Sequence, residues 1–185
     1  MGSSAADRLA ERIVVLRAQS GDRAAFHELV TMYEARLMYY VRRLGCDLDA
    51  CQDVLQETWL QVFRSLGTLR AAEAFRVWLY RIAHRRAIEQ VRLRTVEVPA
   101  TNALAAEQAD DNWNELALLE NVEIVHQALE RLSPAHREVL TLRFLEEMDV
   151  AEIAAVIGCS EGTAKSRLHY AKSALRALLE TDAHV

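Results

Sequence analysis

Apolar residues recur every three or four positions along most of this chain, and few residues stand in the way of that pattern. Between about residues 22 and 44 they are Phe26, Leu29, Val30, Tyr33, Leu37, Tyr40, Val41 and Leu44. Such spacing places the side chains on one face of an α-helix. The 185 residues include only 2 prolines and 6 glycines, fewer turn formers than a chain of many β-hairpins needs. The sequence therefore predicts an all-α protein.

Two further stretches of the same kind complete a predicted N-terminal domain. The expected buried side of a helix over 48–66 is formed by Val54, Leu55, Thr58, Trp59, Val62, Phe63 and Leu66. A helix over 74–93 has Phe75, Trp78, Leu79 and Ile82 as its core stripe. Gly45 is expected to end the first helix in a left-handed conformation. Three helices with short connections can bury one core, and we place this domain at residues 1–94.

A linker and a second helical domain follow. Residues 95–112 lack helical spacing, contain Pro99 and are acidic, which is typical of a linker. Helical spacing resumes near Asn114. Ser133 and Pro134 predict an N-cap followed by proline at the first helical position, and this helix should run to about Leu145. We place the second domain at residues 113–185.

The segment from residue 149 to 172 predicts a helix-turn-helix. Asp149 and Glu152 have the spacing of a capping box at the start of the first helix. Gly158 suits a left-handed turn, and Ser160 suits the N-cap of the second helix. Two helices joined by a three-residue turn that contains glycine form this motif.

The second helix of the motif has a basic face that suits the major groove of DNA. Lys165, His169, Lys172 and Arg176 lie on one stripe, apart from an apolar stripe that includes Ala164 and Leu168. A merely solvated face is the alternative interpretation. The turn and both caps favour DNA binding.

A net charge of −5 conceals a basic segment and an acidic one. Residues 70–94 contain seven arginines and two glutamates, whereas residues 95–130 contain eight acidic residues and no lysine or arginine. Arg81, Arg85 and Arg92 share a helix face that could neutralise phosphates, and Arg76, Arg86 and Arg94 are expected to widen it. Trp78 and Tyr80 could stack on unpaired bases. Because Trp78 lies on the core stripe, we expect it to be buried and Tyr80 to be exposed.

Several classes of protein are excluded. No apolar run approaches the ~18 residues of a membrane span, and the N-terminal residues do not form a signal peptide. Three widely set cysteines, Cys46, Cys51 and Cys159, indicate reduced thiols in a cytoplasmic protein. No histidine has a partner at metal-ligand spacing, and no phosphate loop or nucleophile elbow is present. We therefore expect no catalytic residues, metal or cofactor.

Four segments, in this order, resemble sigma factors of the extracytoplasmic-function type, the small two-domain branch of the sigma-70 family. They are Asp53–Arg64 (DVLQETWLQVFR), Phe75–Ala83 (FRVWLYRIA), Leu132–Phe144 (LSPAHREVLTLRF) and Glu161–Leu168 (EGTAKSRL). The resemblance covers about residues 20–94 and 128–180. It implies an initiation factor that binds core RNA polymerase, recognises minus-35 and minus-10 promoter elements and promotes DNA opening. It also implies an anti-sigma factor as a partner.

The resemblance implies a role for each segment. Asp53, Gln56 and Glu57 match the part that docks on the coiled coil of the polymerase β′ subunit, and the surface around Leu140–Leu145 matches the contact with the β flap. The loop Gly67–Glu73 matches the part that captures a flipped minus-10 base, and the next helix matches the part that holds the opened strand. The minus-10 candidates are Arg70, Arg76, Tyr80, Arg81, Arg85 and Arg92. The minus-35 candidates are Ser160, Thr163, Lys165, Ser166, Arg167, His169 and Lys172. The acidic linker matches a segment that threads the polymerase channel which RNA later occupies.

Four positions depart from the family pattern, and two other functions stay open. Arg85 and Arg86 replace an asparagine and an apolar residue, Tyr170 replaces a basic residue, and Ala164 replaces a valine. A free-standing helix-turn-helix regulator would bind duplex DNA as a dimer without polymerase, but it leaves the arginine-rich helix and the linker unexplained. A protein–protein adaptor would tolerate the change of Lys165 and Arg167 to glutamate.

Overall fold

A computed structural model describes residues 5–95 and 122–182, and within these ranges the regular elements are helical. The α-helices are α1 (Ala5–Gln19), α2 (Arg23–Arg43), α3 (Leu48–Ser65), α4 (Phe75–Thr95), α5 (Val122–Arg131), α6 (Pro134–Leu140), α7 (Val150–Ile157) and α8 (Glu161–Asp182). The described residues fall mainly into an N-terminal compact unit, α1 to α4, and a C-terminal one that contains α5, α6 and α8. The all-α prediction is confirmed.

The N-terminal unit is built around α2, which packs against α1, α3 and α4. Its fully buried side chains repeat at helical spacing and include Leu29, Tyr33, Leu37 and Tyr40. Aromatic rings join the helices edge to face: the ring centroids of Tyr33 and Phe75 are 5.7 Å apart. The sequence assigned no structure to residues 7–19, which form most of α1 and bury Val14, Val15 and Ala18.

Local side-chain and backbone chemistry sets the ends of these helices. The Asp22 carboxylate accepts hydrogen bonds from the backbone N–H groups of Ala24 and Ala25, at 2.9 and 3.1 Å, and so caps α2. The Ala25 N–H, followed by the Arg17 side chain, holds the pKa of Asp22 below its ordinary value. Gly45 follows α2 at φ 101°, as predicted for a left-handed residue after a helix.

The predicted orientations of Tyr80 and Phe63 are wrong, and Trp78 is less buried than predicted. Tyr80 is fully buried, Trp78 is half-buried, and Phe63 is 64% exposed at the edge of the Phe26 ring. The buried arc of α4 is wider than the predicted stripe, because it also includes the small residues Ala83 and Ala87. At about 100° per residue, Tyr80 lies only about 60° from Ala83, whereas Trp78 lies about 140° away. Both α2 and α3 pack on α4, so its buried side extends beyond one stripe.

The C-terminal unit buries Leu129, Leu132 and Val139 together with the apolar side of α8. The Ser133 hydroxyl accepts from the His136 N–H, and Pro134 begins α6, as predicted. The predicted helix to Leu145 consists of two parts: α6 ends at Leu140, and a π-helical turn covers Thr141–Leu145.

The predicted helix-turn-helix is present, with each cap in place. Asp149 and Glu152 form a reciprocal capping box: the Asp149 N–H donates to Glu152 Oε2 at 2.9 Å, and the Glu152 N–H donates to Asp149 Oδ1 at 2.8 Å. Gly158 turns the chain at φ 70°. Ser160 Oγ then accepts from the Thr163 N–H at 3.1 Å and starts α8.

Part of the predicted organisation lies beyond the described residues. The acidic linker does so apart from Thr95, the last residue of α4, and so does the helical restart near Asn114. The domain limits therefore stay predictions. Among the helices that the structure describes, none has the length and apolar character that a bilayer crossing requires. Within the same residues, no group of three or more histidine, cysteine, aspartate or glutamate side chains is arranged to hold a metal ion.

Truncating Leu79 should destabilise the N-terminal unit far more than truncating Leu93 in the same helix. Leu79 is fully buried, so Leu79→Ala should cost about 2–5 kcal/mol of unfolding free energy. Leu93 is 68% exposed, and Leu93→Ala should change it by about 0.5 kcal/mol or less. Native-state hydrogen exchange of the slowest α2 and α4 amides measures both. Equal losses would contradict the buried arc described for α4.

Removing the cap of α8 should weaken the helix-turn-helix. Ser160→Ala leaves the Thr163 N–H without its acceptor and should lower the stability of this motif by about 1 kcal/mol. Ser166→Ala is the matched control, because Ser166 Oγ only donates back to the Gly162 carbonyl within α8. Amide exchange in α7 and α8 should accelerate in the first variant alone. Acceleration in neither would show that the cap contributes no stability.

Candidate functional site

The minus-35 candidates occupy the first half of α8 and surround its buried side. Ala164, Leu168, Ala171 and Leu175 form that buried side. Ser166 lies about 160–180° from Leu168 and Leu175, at 100° per residue, and so points away from the core. Thr163 and Arg167 flank the buried side at one border, and Lys165, His169 and Lys172 flank it at the other. The candidates therefore lie on both borders of the buried side and opposite it, beside the exposed Tyr170.

Several of these side chains are held by neighbours. Lys172 Nζ lies 5.5 Å from the centre of the Phe144 ring, a cation–π geometry, and the His169 ring lies 5.5 Å from the Tyr170 ring. Burial of the imidazole, followed by the nearby Arg167 guanidinium, holds the pKa of His136 below its ordinary value. His136 is therefore neutral at pH 7, and the positive charge beside it belongs to Arg167.

The arginines of the N-terminal unit separate into distinct groups. Arg81, Arg85 and Arg92 are exposed and lie within about 40° of one another around α4, as predicted. Arg76 lies about 140° from Arg81, is half-buried and has its charge close to Tyr33. Arg70 is exposed in the loop before α4, and the Arg94 side chain lies outside the described residues. Arg76 is therefore not part of the group that the sequence assigned it to.

Tyr80 is fully buried and cannot reach an unpaired base in this structure. The prediction that Tyr80 is exposed is wrong because the predicted core stripe did not include Ala83. Since Ala83 is buried, the buried side of α4 extends as far as Tyr80.

An open groove of about 510 Å³ lies between α3 and α4. The three polymerase-binding candidates, Asp53, Gln56 and Glu57, are exposed on α3 and line it. Arg86 also lines this groove, rather than widening the basic face of α4. It donates to Gln61 Oε1 at 3.2 Å, and its Nη1 lies 3.3 Å from Glu57 and 3.6 Å from Glu89. Arg86, the basic residue that lines the groove, thus bridges Glu57 of α3 and Glu89 of α4.

Sequence reasoning missed two residues of this face. Leu60 is 46% exposed and Phe63 is 64% exposed, and both continue the exposed side of α3 beyond Asp53 and Gln56. The signal was present in the sequence, because both residues lie within about 80° of Asp53 around the helix. The sequence pattern places Phe63 on the buried side of the helix only because Phe63 is apolar, and it predicts no position for Leu60.

The segment expected to contact the β flap is mostly core. Leu140 and Leu142 are buried, while Phe144 is half-buried and Leu145 is 47% exposed. The π-helical turn over Thr141–Leu145 brings only its last residues to the surface.

The predicted base-capture loop, Gly67–Glu73, consists of two short turns. The Leu69 N–H donates to the Leu66 carbonyl, and the Ala74 N–H donates to the Ala71 carbonyl. Gly67, Thr68, Arg70 and Glu73 are exposed, whereas Ala72 is buried. The loop therefore presents polar atoms and a cation to solvent above a small apolar contact.

Comparison with known proteins relates these features to a family. A family model described as "Sigma-70 region 2" matches residues 29–96, and one described as "Sigma-70, region 4" matches residues 123–175. The ECF RNA polymerase sigma-E factor of Escherichia coli (strain K12) is 32% identical over 180 residues, which cover 91% of this chain and 94% of the relative.

Two solved structures have a similar fold. CnrH, solved in complex with the cytosolic domain of CnrY, is 28% identical, with a TM-score of 0.66 over 94% of this chain and 99% of that one. The sigma factor RpoE of Bartonella quintana, solved with the anti-sigma factor NepR, is 24% identical, with a TM-score of 0.64 over 85% of this chain and 98% of that one. Because both sigma-70 regions are matched in order and the E. coli relative exceeds 30% identity along nearly its whole length, this chain belongs to the sigma-70 family as an extracytoplasmic-function sigma factor, a transcription initiation factor and not an enzyme.

Proposed function

We propose that this chain initiates transcription through three separate surfaces: the exposed side of α3 for core RNA polymerase, the arginines of α4 for opened minus-10 DNA, and α8 for the minus-35 element. The observation that carries the proposal is the acidic and amide face of α3 beside the α3–α4 groove, in the same unit as the basic face of α4. A factor that works only on polymerase needs a protein-binding face next to its DNA-binding face.

The polymerase surface combines charge with apolar contact. Asp53, Gln56 and Glu57 offer carboxylate and amide oxygens to a basic partner, the coiled coil of β′. Leu60 and Phe63 extend this surface with exposed apolar area, which strengthens docking when water is excluded. Arg86 holds Glu57 from the side of α4. In the C-terminal unit, Phe144 and Leu145 supply the surface for the β flap.

The minus-35 surface is the exposed side of α8. Lys165, Ser166 and Thr163 are exposed, near the N-terminus of the second helix of the motif, where such helices meet base edges. Half-buried residues flank them: Arg167, His169 and Lys172. Ser160 caps α8 and belongs to this surface through its hydroxyl contact with Thr163 Oγ1 at 2.8 Å.

The minus-10 surface supplies phosphate contacts without sequence information. Arg81, Arg85 and Arg92 form a basic line along α4, and Arg70 adds a fourth cation from the loop. Capture of a flipped base in the loop Gly67–Glu73 would add recognition. Opening follows because a flipped base is available for capture only in unpaired DNA, which shifts the equilibrium from duplex toward opened DNA.

The proposal also covers a regulatory partner, the cellular compartment and the path of the linker. RpoE of Bartonella quintana is solved with an anti-sigma factor, and we extend this kind of partner to the present chain. We place the protein in the cytoplasm, where core polymerase acts. The acidic linker would follow the polymerase channel between the two DNA-binding surfaces.

Reversing one charge on α3 should weaken holoenzyme formation. Asp53→Arg places a cation on a surface meant for a basic partner, so affinity for core polymerase should fall by about 10-fold or more. Glu34→Arg makes the same change on an exposed residue of α2 and should leave the affinity unchanged. Titration of core polymerase with labelled protein measures both, with promoter-dependent transcription as the second readout. Equal affinities for both variants would refute the α3 surface, and absence of promoter-dependent transcripts with the unaltered chain would refute the initiation function.

The two basic surfaces should affect different promoter elements. Lys165→Ala should lower holoenzyme affinity for promoters with an intact minus-35 element by about 5-fold or more, because it removes a contact to a base edge. It should have no effect once that element is scrambled. Arg81→Ala should instead reduce the open-complex fraction on either template. Footprinting and permanganate reactivity of unpaired thymines separate the two effects. A loss for Lys165→Ala that persists on the scrambled template would contradict the assignment.

A further inference from the structure

We propose that α1 braces the base-capture loop, with Gln19 as a positioning residue that fixes the loop's shape and thereby its discrimination among captured bases. The inference rests on the proposed function of the loop Gly67–Glu73. It gives α1 a role in promoter recognition although α1 precedes the region 2 match, which begins at residue 29.

Gln19 ties the last turn of α1 to the start of the loop. Its Nε2 donates to the Leu66 carbonyl at 3.1 Å and to the Leu69 carbonyl at 2.7 Å. Both partners are carbonyl oxygens, which can only accept, so the amide nitrogen must face them. A single side chain therefore uses its two hydrogens to hold the two ends of one turn, some 47 and 50 residues away in sequence.

The same face of α1 also reaches the end of the loop. Arg12 lies two turns before Gln19, within about 20° of it around the helix, and its Nε is 3.8 Å from Glu73 Oε2. This ion pair is exposed at both ends and contributes little alone. Between the two ties, Val15 is fully buried in α1 and Ala72 is buried in the loop, and α1 contacts both turns of the loop. The brace thus consists of the two Gln19 hydrogen bonds, one weak ion pair and the packing of α1 on both turns of the loop.

A braced loop is what base capture requires. Extruding a base from the stack is costly, and a pocket that must first be ordered adds to that cost. The exposed residues Gly67, Thr68 and Arg70 have little regular structure of their own, only the short turn that Gln19 spans. Recognition sites that hold their shape are supported by a second layer of hydrogen bonds, and Gln19 is that layer here.

The test removes the donor while keeping the size of the side chain. Gln19→Glu is isosteric but presents acceptors to two carbonyls, and Gln19→Met keeps the length without a donor. Ser20→Ala is the matched control, because Ser20 Oγ donates only to the Leu16 carbonyl within α1. Each full-length variant is assembled with core polymerase and assayed on four promoters that differ only at the captured base, with open complexes quantified by permanganate.

We expect unaltered core binding for all variants, since that surface is on α3. The ratio of open complex between the best and worst captured base should fall about 10-fold for both Gln19 variants and stay unchanged for Ser20→Ala. In the free protein, amides of residues 67–70 should exchange faster in the Gln19 variants while α2 amides do not. Unchanged base discrimination, or a uniform loss on all four promoters together with weaker core binding, would overturn the brace. If the unaltered chain itself opened no promoter, the proposed function would fail first, and the two failures are therefore distinguishable.

Discussion

The packing of α4 against two helices at once determines where every functional surface of the N-terminal unit lies. Leu79, Tyr80 and Ala83 fill the space between α2 and α3, and the small alanines let the helices approach closely. With that arc buried, Arg81 and its neighbours on the same stripe must face solvent. Arg86, about 140° further round, must enter the seam with α3. The orientation of α4 about its own axis therefore places the basic face on one side of this helix and the acidic groove on another.

This separation explains how a chain of net charge −5 can bind a polyanion. Local charge, and not the total, governs where DNA docks. The exposed arginines of α4 do not line the groove beside Asp53 and Glu57, and Arg86, which does, bridges Glu57 and Glu89. In the C-terminal unit, a neutral His136 leaves Arg167 as the charge at that border of α8. Each surface thus has one dominant sign, which suits docking on a polymerase with one side and on DNA with the other.

The sequence predicted most of the fold and the local part of the site, for reasons that lie in particular residues. Helix starts and turns depend on neighbouring residues, and the Asp149–Glu152 capping box, Gly158 and Ser160 all behave as predicted. Tyr80 and Arg86 were misplaced because their orientation depends on a second helix, which packs on α4 from elsewhere in the sequence. Gln19 carried no signal at all, since its two acceptors are backbone carbonyls about 50 residues away. Long-range hydrogen bonds to backbone carbonyls produce no periodic pattern in the sequence from which they could be predicted.

Site-specific photocrosslinking in the open promoter complex tests most directly whether the two sides of α4 face different partners. A photoreactive residue placed at Arg81 should crosslink promoter DNA, and one placed at Leu93, about 120° away on the groove side, should crosslink the polymerase β′ subunit. Crosslinks from both positions to the same partner, or with the two partners exchanged, would contradict this account.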